Sequence, residues 1–510
     1  MNIVWFKRDL RIWDNEVFTN ACENGPIIPL YIVEPELWSQ DDLSYRHYQF
    51  LMECLDDLKA DIQKLGQELI IRKGDALEIL KEINEECGIS ELWSHQETWN
   101  YWTFKRDKKI REWLELKNIK WNEPAENGVV RGLKNRDGWS KNWYNRMKRD
   151  KFLPPKKLKQ INLKSEIIPR PKDIGFDNSY SPDFQKGGRK SGQKLLDSFL
   201  KIRSENYSKE MSSPLTAFDS CSRLSVHLSF GTLSVKEVFQ ATELRKSELK
   251  ELPKEKKGNR IKSLNTFSGR LRWHCHFIQK LEDEPEIEFK NMHSSYDILR
   301  SDNFNVDFFE KWKTGNTGFP MVDACMRSLI TTGWLNFRMR AMLMSFASYH
   351  LWLPWQITSR YLATLFTDYE PGIHYSQSQM QSGTTGINAI RIYNPIKQGM
   401  DHDPEGIFIK KWLPELRKVS KENIHMPWED AKNITDYIPP IVNETDARKA
   451  AASKIYKLRR EKSHKLEADQ IYIKHGSRKS RPKKIKTKIK KKNPTFRKAF
   501  FNLLELTQLI

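Results

Sequence analysis

The hydrophobic period of this chain changes once, and that change limits what it can fold into. From Met1 to Val130, short apolar runs alternate with helical patterns. NIVWF (2–6), IIPLYIV (27–33), ELIIR (68–72) and ELWSH (91–95) read as strands. Between them, YRHYQFLMECLDDLKADIQKLG has apolar residues at spacings of three and four and stops at Gly66. Strands alternating with helices predict a parallel sheet with helices on both faces. This half has no G-x-G-x-x-G, so a dinucleotide crevice has no support here. From about residue 190 the helical period dominates, in SGQKLLDSFLKI, TFSGRLRWHCHFIQKL, MVDACMRSLI and FRMRAMLMSFASYHLW. The stretch between, with FLPPKK, IIPRPKD and KGGRKSG, breaks any period and reads as a connector with some helix.

The expected organisation is an α/β domain over 1–130, a connector over 131–190, an all-α domain over 191–445 and a basic tail over 446–510. The longest apolar candidate for a membrane span runs only from Met342 to Trp355 and includes His350. It falls short of the roughly 20 residues that a spanning helix needs, and so predicts a buried helix. The first eleven residues hold four charges and no apolar signal core, so a cytoplasmic location is expected. The six cysteines, Cys22, Cys54, Cys87, Cys221, Cys275 and Cys325, are widely spaced and form no C-x-x-C pair. Neither a metal site nor a disulfide scaffold is therefore expected. Of the net charge of +21, most is in the tail. Residues 447–510 hold 21 Lys/Arg against 4 Asp/Glu, and RKSRPKKIKTKIKKK (478–492) is a polycation suited to phosphate backbones or to simple solvation. The tail is expected to form one helix over Ala447–Ala468 and disorder from about 475, with a short amphipathic end over 496–510.

The helical half also holds residues able to do chemistry. Trp273, Trp312, Trp334, Trp352 and Trp355 read individually as core. CSRLS (221–225) is a turn or helix cap that can also present hydroxyls, backbone donors and Arg223 to an anion such as a pyrophosphate. Arg340, in a tryptophan-rich helix, needs a carboxylate partner, and Asp368 or Glu370 can supply it.

Taken together, several segments resemble the photolyase/cryptochrome family. They are WFKRDLRIWDN (5–15), SRLSVHLSFGTLS (222–234), TGFPMVDACMRSLITTGWLNFRMR (317–340), RIYNP (391–395) and EGIFIKKWLPEL (405–416), in family order from residue 1 to about 440. The resemblance implies a Rossmann-like α/β N-terminal domain and an all-α domain holding FAD. It assigns cofactor contacts to Tyr207, to the phosphate cradle Ser222, Arg223, Leu224 and Ser225, to the acidic pair Asp368 and Glu370, to Arg340 as partner of Asp368, and to His374 near the flavin ring. Cys221 stands where the family has threonine. A cation beside the flavin favours its anionic reduced form. It assigns lesion and DNA contacts to Arg270, Trp273, His274, Arg338 and Met380.

Several departures bear on mechanism. Arg270 replaces the glutamate that binds the damaged pyrimidine, His274 replaces the next arginine, and Phe337 stands where asparagine is common. Trp355 and Trp312 match the middle and distal members of the photoreduction chain, but no tryptophan occupies the proximal place. An alternative path through Tyr375 or Trp352 is expected instead. WNYWTFKRD (99–107) lies where relatives contact a light-harvesting pigment, yet Thr103 replaces the acidic residue. A packed helix start explains this segment as well, and a second chromophore is left open.

The preferred reading is light-driven repair of pyrimidine dimers, in which reduced FAD passes an electron to a lesion flipped out of the DNA stack. The alternatives are a cryptochrome-type blue-light sensor and a flavin-free nucleic-acid-binding protein. Single- or double-stranded DNA bearing photoproducts is the expected partner, with no metal, no membrane and a monomeric chain.

Overall fold

Residues 2–122 carry a five-stranded parallel sheet, β1 (Asn2–Phe6), β2 (Ile27–Val33), β3 (Ile70–Lys73), β4 (Glu91–Trp93) and β5 (Lys120–Asn122), in the order β3-β2-β1-β4-β5. The computed structural model describes residues 1–177, 183–300, 304–429 and 436–477. The polycation at 478–492 and the amphipathic end at 496–510 lie outside the described residues. Every residue of β1 and β2 is buried, as a sheet covered on both faces requires. Pro29 is tolerated inside β2 because β3 pairs with it only from Leu30 onward. β5 went unread in the sequence because it is three residues long and opens on a lysine.

Strand order reverses between β1 and β4, so the loops leaving these strands flank a crevice at their carboxyl ends. Asp9 Oδ2 meets His95 Nδ1 there at 2.6 Å and ties the two loops together. Helix α1 (Tyr45–Lys64) starts at a capping box of Ser44 and His47 and ends before Gly66, whose φ is +91°. WNYWTFKRD is a capped helix start, with the Asn100 side chain accepting from the Thr103 N–H. Its Arg106 is buried against Glu34, Glu97 and Asp107.

The second half is helical. It contains α2 (Val235–Glu251), α3 (Arg260–Asp283), α4 (Pro320–Thr332), α5 (Phe337–Ser345), α6 (Trp355–Leu365) and α7 (Pro371–Ser382). Proline opens α4 at its first turn, and Asp323 gathers the Thr317 and Gly318 N–H groups and the Tyr437 hydroxyl beneath it. The apolar run over 342–355 is not one helix. After α5 a π-helical turn covers Phe346–His350, Trp352 adopts φ +53°, and α6 begins at Trp355. No helix among the described residues is long and apolar enough to cross a membrane. Helices α3 and α7 touch closely, since a Cβ on Gly372 would lie 2.6 Å from Ile278 Cα.

Two motifs singled out in the sequence pack on each other. The Leu10 N–H donates to the Phe230 carbonyl, Arg11 to the Gly231 carbonyl at 2.7 Å, and the Ser234 hydroxyl to Asp14 at 2.5 Å. Gly231 has φ +64°, and a Cβ there would collide with the Arg8 carbonyl oxygen.

The C-terminal expectation needs correction. Residues 444–475 form two helices, α8 (Glu444–Arg459) and α9 (Lys462–His475), packed on the helical body. Ala451 and Ile455 are buried against Tyr296 and Tyr349. His464 stacks on His293 at 3.9 Å, and Arg459 donates to the Asn388 carbonyl. The high charge of this stretch hid its inward-facing residues.

Candidate functional site

A cavity of about 300 Å³ opens among α3, α5, α6 and α7, within the size range of cofactor pockets. One wall is the turn before the short helix Ser225–Ser229, and Cys221, Ser222, Arg223 and Ser225 all line it. Arg223 holds φ +60°, rare for a side chain other than glycine. Its guanidinium lies between the rings of Phe218 (4.1 Å) and Trp334 (4.2 Å). Burial lowers its pKa to about 10, so it remains a cation at neutral pH. Leu224 does not reach the cavity and packs in the core.

The acidic pair also lines the cavity. Arg340 Nη2 donates to Asp368 Oδ2 at 2.9 Å. Burial works to raise the Asp368 pKa, but Arg340, with a hydrogen bond from Ser225, holds it below the usual carboxylate value. Glu370 instead pairs with Arg8 at 3.2 Å, a partner from the far N-terminal end of the chain. Burial dominates there and raises its pKa to about 7, against the pull of Arg8. Asp368 Oδ1, Glu370 Oε1 and Arg223 Nε are buried without a hydrogen-bond partner in the protein. Three unmet polar groups around one cavity call for a polar ligand.

His374 lines the cavity, and its Nε2 donates to the Ser359 carbonyl at 2.7 Å. Burial lowers its pKa to about 4, so near neutral pH the ring is uncharged and Nδ1 keeps a free lone pair. His274, lowered to about 4 by burial and then by Arg8, lines this cavity and a neighbouring chamber of about 50 Å³. That chamber lies against the β1 and β4 loops, with Lys7, Asp9, His95 and Glu97 in its wall.

Tyr207 lines the cavity, is hydrogen-bonded to Arg270, and packs on Phe199 and Phe267. The Arg270 guanidinium also lies over Phe337, a cavity residue, at 5.6 Å. The other expected DNA contacts lie off the wall. Trp273 packs on His276 and Phe277, and Arg338 lies over Tyr393. Met380 is half-buried and lies outside the lining.

Trp355 and Trp312 are fully buried. Trp355 lies 6.4 Å from Tyr375, Tyr375 lies 6.2 Å from Tyr369, and Tyr369 lies 5.4 Å from His374. Tyr369 and His374 both line the cavity. Among the described residues, Trp312 makes ring contacts with Phe309 and Tyr361 but not with Trp355. Trp352 faces Arg300 and Lys454 instead.

Sequence reasoning missed Arg8 as a site residue, although it lies in a quoted motif. It also missed Gln377 and Ser378, which line the cavity. Their helical spacing from His374 was a usable signal.

Residues 267–457 match the family described as the FAD binding domain of DNA photolyase, and residues 2–134 match DNA photolyase. The chain is 28% identical over 465 residues to a deoxyribodipyrimidine photo-lyase of Streptomyces griseus, covering 88% of this chain and 97% of that one. It is equally 28% identical, over 498 residues, to cryptochrome-2 of Arabidopsis thaliana, covering 90% and 79%. Among solved structures, a bacterial class III photolyase from Agrobacterium tumefaciens superposes with a TM-score of 0.76 at 25% identity, covering 90% of this chain and 98% of that one. An archaeal photolyase from Sulfolobus tokodaii, solved with two FAD molecules, superposes with a TM-score of 0.75 at 26% identity, covering 90% and 100%.

Proposed function

The chain belongs to the photolyase/cryptochrome family, and from that premise we propose that it repairs pyrimidine photoproducts in DNA, using blue light and bound FAD. The cavity chemistry fits the cofactor. Ser222 and Arg223 offer a hydroxyl and a guanidinium to its phosphates, and the open oxygens of Asp368 and Glu370 suit its hydroxyl and N–H donors. Bound and reduced, FAD supplies the light-excited electron on which the repair reaction depends.

The chain's own residues shape the site around that chemistry. Arg340, Arg223 and Arg8 supply three guanidiniums against the two carboxyl groups, which favours an anionic guest. His374 and His274 are uncharged near neutral pH, so neither delivers a proton from an imidazolium. His374 offers an acceptor lone pair instead. Tyr369, Phe366 and Met344 lie along the wall and limit the access of water.

The observation that carries the repair reading is the position of Arg270. It is tethered to Tyr207 and lies over Phe337, two residues that line the cavity, and in this reading its exposed guanidinium donates to the carbonyls of an extruded base. Trp273 and Arg338 serve in this reading as DNA contacts outside the cavity. The ladder Trp355–Tyr375–Tyr369–His374 supports Tyr375, rather than Trp352, as the relay that replaces the missing proximal tryptophan.

A sensor remains the competing reading because a cryptochrome is as similar to this chain as a photolyase is. DNA binding separates the two. Fluorescence anisotropy in the dark, with oligonucleotides bearing a cyclobutane dimer, a (6-4) product or no lesion, should show tighter binding to one lesion. Arg270→Ala should remove that preference while leaving FAD bound. Equal affinity for all three DNAs favours the sensor.

A further inference from the structure

Tyr369 and Tyr375 share the interior with two carboxyl groups that the repair reading leaves without a task. Tyr369 donates its hydroxyl to Asp42 Oδ2 at 2.5 Å, joining α7's approach to the loop ahead of α1. Tyr375 is hydrogen-bonded to Tyr369 side chain to side chain. Asp42, Tyr369 and Tyr375 are all buried. Asn100 also reaches Asp42. Glu288, from the turn after α3, stands near both tyrosines and Asp42, and its Oε2 accepts the Tyr101 N–H at 2.6 Å. Arg360 is the cation that acts on Asp42, Glu288 and Tyr375, but its side chain is half exposed and lies 3.5 Å from Asp41.

Removing an electron from a phenol turns its hydroxyl into a strong acid. A cation left in an apolar interior is costly, so the proton leaves if a base is within hydrogen-bond reach. Two nearby imidazoles are poor acceptors. His47 uses both ring nitrogens, accepting the Ser44 N–H at Nδ1 and donating to the Phe366 carbonyl from Nε2. His374 meets both tyrosines through ring contacts, 5.4 Å and 5.3 Å between centroids. Asp42 has a hydrogen-bonded path to Tyr375.

We propose that Tyr375 is the tyrosine oxidised on photoreduction and that Asp42, reached through the cavity residue Tyr369, takes up its phenolic proton. This rests on the reading that the cavity holds FAD. In the step, one electron leaves Tyr375 for light-excited oxidised flavin. The Tyr375 hydroxyl proton moves to the Tyr369 oxygen while the Tyr369 proton moves to Asp42. A neutral phenoxyl radical remains on Tyr375 and a carboxylic acid on Asp42. An electron from a soluble thiol, which is oxidised towards its disulfide, and return of the proton along the same path restore both groups.

The test uses the full chain with oxidised FAD bound, in anaerobic buffer with dithiothreitol under blue light. Electron paramagnetic resonance of freeze-quenched samples identifies the radical, and loss of oxidised-flavin absorbance in H2O and D2O gives the rate. The wild type should show a neutral tyrosyl signal and a slower rate in D2O. Asp42→Asn should keep its FAD, lose the tyrosyl signal and slow photoreduction by at least about tenfold. Tyr369→Phe keeps the ring but cuts the path, and should behave the same way. Wild-type signal and rate in both variants overturn Asp42 as the acceptor. An unchanged signal in Tyr375→Phe overturns Tyr375 as the donor. A purified chain without FAD overturns the underlying reading before any radical is measured.

Discussion

Arg340 and Arg223 share one carboxylate, Asp368, and both cations act on it. Asp368→Asn leaves two guanidiniums facing the cavity with no counter-charge, a loss of about 3 kcal/mol for a broken buried pair. The expected outcomes are a lower melting temperature and at least about tenfold weaker FAD retention, read by thermal unfolding and by flavin absorbance after gel filtration. Unchanged retention would falsify the assignment of this wall. Glu370 gives a pH signature. Its folded pKa of about 7 lies above the ordinary glutamate value of 4.5, so its contribution to stability is full below about 4.5 and is lost as pH rises through about 7. Flavin-free Glu370→Gln should therefore melt close to wild type at pH 5 and above it at pH 8, by on the order of 2 kcal/mol. A difference that stays constant with pH contradicts this. Arg340's need for a carboxylate was legible in the sequence because an arginine in an apolar helix needs a partner. The choice of Arg8 for Glu370 was not, because only the folded contact between the two halves brings them together.

At the scale of elements, strong periods were easy to read and short or charged pieces were not. The first four strands each carry an apolar cluster that marks them, but β5 does not. Helices α8 and α9 look like a solvated tail by composition, yet Ala451, Ile455, His464 and His475 turn inward. Their stability comes from packing on Tyr296, His293 and Glu284 rather than from helix propensity. Truncation after Arg460 should lower the melting temperature by several degrees, on the order of 2 kcal/mol. Truncation after Ser477 removes twelve Lys/Arg and one Glu, and should leave melting unchanged while reducing the salt slope of DNA binding. An unchanged slope means the polycation does not engage DNA phosphates.

At the scale of the whole molecule, the site depends on contact between the two halves. The loop after β1 carries Arg8 to Glu370 and packs against Gly231, beside the turn that shapes the cradle. The family motifs over 5–15 and 222–234 are therefore one structural unit, split by the whole stretch of chain from Asn15 to Ser222. In the sequence they are separate signatures, and their proximity emerges only with the fold. The helical half was legible as an FAD domain because its motifs are specific. The surroundings of the expected lesion contacts were less legible, since neighbouring side chains such as Trp273 and His274 end in different environments. Light-driven repair is read out by the restoration of bases. Protein loaded with FAD and chemically reduced is mixed with single- and double-stranded oligonucleotides carrying a cyclobutane dimer or a (6-4) product, under blue light and in darkness. Pyrimidines of one lesion should be restored in light only, with the yield reduced by Arg270→Ala. No restoration of either lesion by protein shown to hold reduced FAD contradicts it.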